Sequence, residues 1–112
     1  MSPVLRQAIE AEFLQARLAE ASGRAAEAFG HLERAHILSQ RFTWLHVRSH
    51  ALMWAWAWRQ RRPRELLGQT TRIVAAALFS RIWVPEGNTG GANVSPIQPM
   101  PIPADLRDLL SR

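Results

Sequence analysis

The sequence predicts an all-α protein: two antiparallel helical hairpins, four helices in all, followed by an ordered Gly/Pro-rich C-terminal tail. Three observations carry that expectation. Apolar residues recur at three- and four-residue spacing in four successive stretches, each bounded by a cap or turn signal. Beyond Pro85 the composition turns to Gly, Asn, Ser and Pro, through which no helix persists. The chain has 112 residues, 47% of them hydrophobic, enough for one core and too few for two. It therefore reads as one domain over 1–112, with the hairpins in 1–84 and a tail, 85–112, packing back on them.

The first helix is expected from Pro3 to Ala21, because Ser2-Pro3 is a start signal and Val4, Leu5, Ala8, Ile9, Phe13, Leu14 and Leu18 keep helical register. Ser22-Gly23 makes a turn, and Ala25, Ala28, Phe29, Leu32, Ala35, His36 and Leu38 place a second helix over Arg24 to Gln40. Thr43 is a suitable N-cap for a third, running to Arg59. Pro63 then opens a fourth, to Ile82, whose buried stripe is expected to be Leu66, Leu67, Thr70, Ile73, Val74, Ala77 and Leu78. In the tail, Val94, Ile97, Met100 and Ile102 are the expected docking residues, and Ala104 to Leu110 can form a last short helix. A shift of 38 positions lays Arg24 on Arg62, Glu27 on Glu65, Gly30 on Gly68 and Arg34 on Arg72, so the hairpins look like copies. Gly30 and Gly68 are then expected where a neighbouring helix packs closely.

Composition excludes several function classes. Without cysteine there are no disulfides, thiolate metal sites or cysteine nucleophiles, so any metal ligand is His or carboxylate. The N-terminus has no signal-peptide core, and the apolar runs 51–58 and 73–79 fall far short of a membrane span, which needs roughly 20 residues. A cytoplasmic protein without a membrane span is the expectation. The net charge is +5, yet every cation is Arg and they are spread along the chain. The local cluster of Arg59, Arg61, Arg62 and Arg64 sits at a turn, which reads first as a solvated corner and alternatively as a phosphate or anionic-lipid contact, and a nucleic-acid partner is not expected.

One constellation could carry chemistry. His46 and His50, four apart on the third helix, put two imidazoles on one face within reach of one divalent ion. Glu33 and His36 on the second helix have the Glu-x-x-His spacing by which helical bundles present ligands inward. A very short turn around Arg41 and Phe42 joins the two helices, so Glu33, His36, His46 and His50 are expected as a metal-ligand set suited to Zn, Fe, Ni or Cu(II). The same residues also fit a structural polar network, or a His-Glu pair for proton transfer, but no nucleophile is presented, which argues against an enzyme. His31 should face elsewhere on its helix. In the tail, Asn88, Thr89, Gly90, Gly91 and Asn93 offer backbone N–H groups and tight turns suited to binding a ligand, or simply to folding the tail back. Trp54 and Trp58 share one helix face and Trp56 the other, so at least one should lie near the surface.

Segment 19–29, with Gly23 at its turn and Leu32, Glu33, Arg34 and Ala35 beyond, resembles a tetratricopeptide helix pair. Its second copy lacks the turn glycine, and its period exceeds the usual repeat of about 34 residues. On a larger scale the run 32–38, His46 with His50, Gly68-Gln69, the tail run 85–95 and Pro99-Met100-Pro101 resemble a small bacterial family, domain of unknown function 3703. That resemblance implies the fold and a significant tail and carries no activity. Two functions follow as expectations: a small protein binding a transition metal through its Glu/His cluster, or a non-enzymatic tetratricopeptide-like module binding a protein partner or forming a homodimer.

Overall fold

A computed structural model describes residues 1–80 and 82–112. It is all-helical, with five helices and, among the described residues, no strand: α1 (Pro3–Ala21), α2 (Ala25–Ser39), α3 (Thr43–Arg59), α4 (Pro63–Phe79) and α5 (Ala104–Leu110). Helices α1 and α2 pair, α3 and α4 pair, and α2 against α3 joins the two hairpins, while α5 lies on α1 and α2. Among the described residues no helix is long and apolar enough to cross a membrane.

Local chemistry sets the boundaries. The Ser2 hydroxyl accepts a hydrogen bond from the Leu5 N–H at 3.1 Å, and Pro3 occupies the first helical position, where its missing N–H costs nothing. Gly23, at φ +79°, turns the chain into α2, and the Arg24 N–H closes the motif on the Ala19 carbonyl at 2.9 Å. Thr43, expected as a cap, is instead the first residue of α3 behind Phe42, and its hydroxyl accepts from the Ser80 hydroxyl at 3.1 Å, tying the two ends of the second hairpin. Helix α4 ends at Phe79 rather than Ile82; the last predicted turn crosses Arg81, which lies outside the described residues.

The core forms where α1 (Leu5, Ile9, Phe13, Ala16, Ala19), α2 (Ala28, Leu32, Ala35, Leu38) and α3 (Leu45, Met53, Trp56, Ala57) meet, with Leu106 of α5 inserted. The tryptophans divide as the helix geometry requires. Trp56 is buried and donates its indole N–H to the Ala25 carbonyl at 3.0 Å, whereas Trp54 and Trp58 stack on each other, exposed, 5.8 Å apart.

Helix α4 overturns its predicted polarity. Leu67, Val74 and Leu78 are 72%, 56% and 64% exposed, while Gln69 is fully buried and Glu65 and Arg72 are half-buried. The face turned inward is polar because it meets polar groups: Gln69 bonds His50 and the Gly90 carbonyl, and Arg72 bonds the Val94 carbonyl. Gly68 makes close contact, but with the loop after α4 and not with a helix: a Cβ there would lie 2.5 Å from the Cβ of Ala92. Gly30 faces open space, so the packing role expected for it is absent. Ile97, expected to dock the tail, is 67% exposed. The segment between α4 and α5 is held mainly by polar contacts. Gln40 donates to the Pro85 carbonyl and accepts from the Gly87 N–H, and Arg72 donates to the Val94 carbonyl at 2.8 Å. The Asn88 amide donates to the Ser95 and Gln98 carbonyls and accepts from the Gly90 N–H.

Candidate metal centre

His36 lies in the last turn of α2, and His46 and His50 lie on consecutive turns of α3. The short connection between these antiparallel helices brings the three rings into one buried cluster, each less than a tenth exposed. Their Nε2 atoms form a nearly equilateral triangle with edges of 3.1, 3.1 and 3.2 Å.

What surrounds the rings decides what that triangle is. The Nδ1 of His36 sits 2.8 Å from the backbone carbonyl of Asn88, which can only accept, so Nδ1 carries the proton. For His50 the partner is the Oε1 of Gln69, at 2.6 Å. The amide of Gln69 cannot be the other way round, because its Nε2 donates to the Glu65 carboxylate at 2.6 Å and the Gly90 carbonyl at 2.7 Å. His50 therefore also carries its proton on Nδ1. Both rings present an Nε2 lone pair to the centre, and two lone pairs 3.1 Å apart repel unless a cation lies between them. A proton on Nε2 of His46 could bridge one edge but would leave the His36–His50 edge unrelieved. The His46 Nδ1 is buried without a partner among the described residues, so none of them fixes that ring's tautomer.

A proton is a poor candidate for the cation. Burial pushes His36 well below the usual imidazole range, and the neighbouring rings push in the same direction. Burial lowers His46 to about 3, with His50 adding to the effect, and lowers His50 to about 4 against the opposing effect of the hydrogen bond that it donates to Gln69. At neutral pH the cluster is three uncharged imidazoles, the state in which a histidine ligates metal.

The triangle fits such an ion. Imidazole nitrogen binds zinc at about 2.0–2.1 Å, and an ion at that distance from all three nitrogens makes N–metal–N angles of about 100°, near those of a tetrahedral or octahedral face. The neutral, nitrogen-only set suits Zn, Fe(II), Ni or Cu(II). The three rings also form part of the wall of a cavity of about 220 Å³, whose other lining includes Arg72, Ala76, Phe79, Trp83, Val84 and Ile97. An ion held by these three rings alone would keep positions for further ligands, as in an open site and not a closed structural one.

The remaining candidates fall outside the triangle. Glu33 is not among the converging ligand atoms, which come from His36, His46 and His50. Its carboxyl is raised above the usual range by burial, with Glu65 adding to the effect and the Thr89 side chain opposing it. The Thr89 hydroxyl itself closes no hydrogen bond of normal length. Asn88 contributes its backbone carbonyl to His36 and its side chain to the loop. At Gly90, φ is +85° and a Cβ would lie 2.7–2.9 Å from the His36 ring, so glycine is what lets the loop cover that imidazole. Gly91 is buried beside Phe29, and Asn93 is exposed. His31 pairs with Glu12 at 3.1 Å, away from the cluster. Gln69 is the residue that spacing arguments missed; the available signal was a helical glutamine next to Gly68 in the run that carries the family resemblance.

No curated protein and no solved structure matches this chain. A family model described as protein of unknown function (DUF3703) matches residues 3–110, and the chain belongs to that family.

Proposed function

We propose that this protein binds one divalent transition metal ion through the Nε2 atoms of His36, His46 and His50. The observation that carries the reading is the convergence of three buried imidazole nitrogens, two of them held by Asn88 and Gln69 in the tautomer that points a lone pair inward. Orienting partners of this kind raise ligand basicity and fix ring direction at metal sites. Glu33 is left out of the ligand set. Elemental analysis of freshly purified, untagged protein tests it, alongside a folded His46→Ala, His50→Ala variant. A near-stoichiometric ion lost in the variant is expected. No ion after addition of zinc, iron, nickel and copper salts would overturn the proposal.

A second reading, not exclusive of the first, is favoured by the outward stripe of Leu67, Val74 and Leu78 on α4, together with exposed Phe79 and Ile82. An apolar face of this kind marks an interaction surface, and the occupant we read for it is a second copy of the chain. Two helical hairpins joined through α2 and α3 support a tetratricopeptide-like scaffold, whose uncapped end would join copies in this way. Sedimentation of the native protein against Leu67→Glu, Leu78→Glu tests it: a dimer made monomeric supports it, and a monomer throughout removes it.

A further inference from the structure

We infer that the open position of the metal takes the carboxylate of a small organic acid whose apolar body fills the adjoining cavity. This deepens the metal reading and rests on it. Histidine ligates as the neutral imidazole, so a divalent ion held by three such rings keeps its full charge, and a second cation, the Arg72 guanidinium, lines the same cavity. No acidic side chain lines it among the described residues. Burying uncompensated charge is costly, and an anion from outside the protein is what relieves it here.

The terminal nitrogens of Arg72 donate to the Gly68 and Val94 carbonyls at 3.3 and 2.8 Å, which hold the guanidinium in place, and its Nε is buried with no partner among the described residues. Glu65, the anion whose charge acts on Arg72, is occupied by the Gln69 amide and the Ala92 N–H and makes no salt bridge with the guanidinium among the described residues. An arginine fixed by carbonyls and free of a carboxylate partner is poised for an anionic ligand.

Apart from the histidines, Arg72, Gln40, Ser80 and Asn88, the wall is mainly apolar, with Ala76, Phe79, Trp83, Val84 and Ile97. A volume of about 220 Å³ is that of roughly seven liquid waters at about 30 Å³ each, enough for a compact acid of benzoate size. Bare hydroxide or phosphate would satisfy the charge and leave the apolar wall without a partner.

Cobalt(II) provides the test, because its visible absorption reports both binding and the identity of the remaining ligands. Loading the full-length protein with cobalt should give an imidazole-type spectrum, which tests the metal reading alone. Titration with sodium benzoate should then change that spectrum to saturation, with benzoate binding about tenfold tighter than acetate, as expected for burying roughly two further methylene equivalents. Arg72→Met should weaken benzoate at least tenfold while cobalt still binds. Should that variant not fold, the benzoate-to-acetate ratio on the native protein decides. A cobalt spectrum indifferent to both acids, or one that answers equally to acetate, benzoate and inorganic phosphate, overturns the inference and leaves the metal site standing. Failure to bind cobalt removes both.

Discussion

Lowering the pH from 7 to 5 should unfold the metal-free protein or bring it close to unfolding, and the magnitude follows from the histidine triangle. In the folded chain burial holds His46 down to about 3, His50 to about 4 and His36 well below its usual value, so all three stay uncharged across this range. In the unfolded chain each titrates near 6.5. Below that value the unfolded state binds more protons, so stability is fully present above pH 6.5 and is lost as the pH falls toward the folded values. Each ring loses about 1.9 kcal/mol between pH 7 and 5, about 5.5 kcal/mol for the three together, against a total of about 5–15 kcal/mol for a typical domain. Glu33 works the other way: its raised folded value contributes stability at low pH that is lost as pH rises, and it offsets part of the loss. Urea unfolding of metal-free protein at half-unit pH steps measures the slope, and imidazole NMR shifts report whether the folded rings protonate. A loss below about 1 kcal/mol, or rings titrating near 6.5 in the folded state, would refute the reasoning. Saturating zinc should raise stability at pH 7 by about 2.7 kcal/mol at a hundredfold excess over its dissociation constant, and should lose that gain as protons compete for the same nitrogens.

Gln69→Leu keeps the helix but frees the His50 tautomer, and metal affinity measured against a chelating dye should fall about 10- to 100-fold. Gly90→Ala places a methyl on the His36 ring at a positive φ and should cost at least about 1–2 kcal/mol by calorimetry, while Gly30→Ala, with open space around it, should gain about 0.5–1 kcal/mol. Trp56→Ala removes a buried ring and its bond to Ala25 and should cost about 3–5 kcal/mol, against less than about 1 kcal/mol for Trp58→Ala at the surface.

The helices were legible because their signals are local. Ser2-Pro3, Ser22-Gly23 and Pro63 mark turns and starts through the backbone of their own neighbourhood. The first two apolar stripes turn Leu5, Ile9, Phe13, Ala28, Leu32, Ala35 and Leu38 to the core, but Val4, Leu14 and Leu18, expected in the first stripe, are exposed because the face that α1 buries is narrower than its run of apolar residues. The convergence of His36 with His46 and His50 was legible for the same reason: four-residue spacing on one helix and a short turn to the next leave few arrangements. Glu33 was misleading because three residues along a helix rotate a side chain by about 60° from perfect alignment, enough to send its carboxyl toward Glu65 and Thr89 instead of the triangle. Helix α4 was misread more deeply. Its hydrophobic periodicity is real, but Gln69, Glu65 and Arg72 are buried by what they bond to, and hydropathy is blind to satisfied polar groups. The tail was misread in detail for the same reason: Asn88 and Gln40 hold it where Ile97 was expected to.

The division of labour between helices and loop has a consequence for dynamics. Helices α2 and α3 bring the three nitrogens together, but one of the two inward lone pairs depends on the segment after α4, through the Asn88 carbonyl that accepts from His36. When that segment opens, His36 loses its orienting acceptor and gains the option of the other tautomer, so the open state binds metal less well. By linkage, metal then opposes opening by the same factor. If opening weakens affinity about tenfold, within the range for lost orienting partners, metal should slow local amide exchange about tenfold at Gly90, whose N–H is held by Asn88, and at Gly87, held by Gln40. The Leu5 N–H, held by the Ser2 side chain at the start of α1, lies outside this linkage and should be unchanged. Hydrogen exchange by NMR with and without zinc reads all three. Equal slowing at all three would mean that metal stabilises only against global unfolding; slowing confined to the loop means that the loop is part of the site.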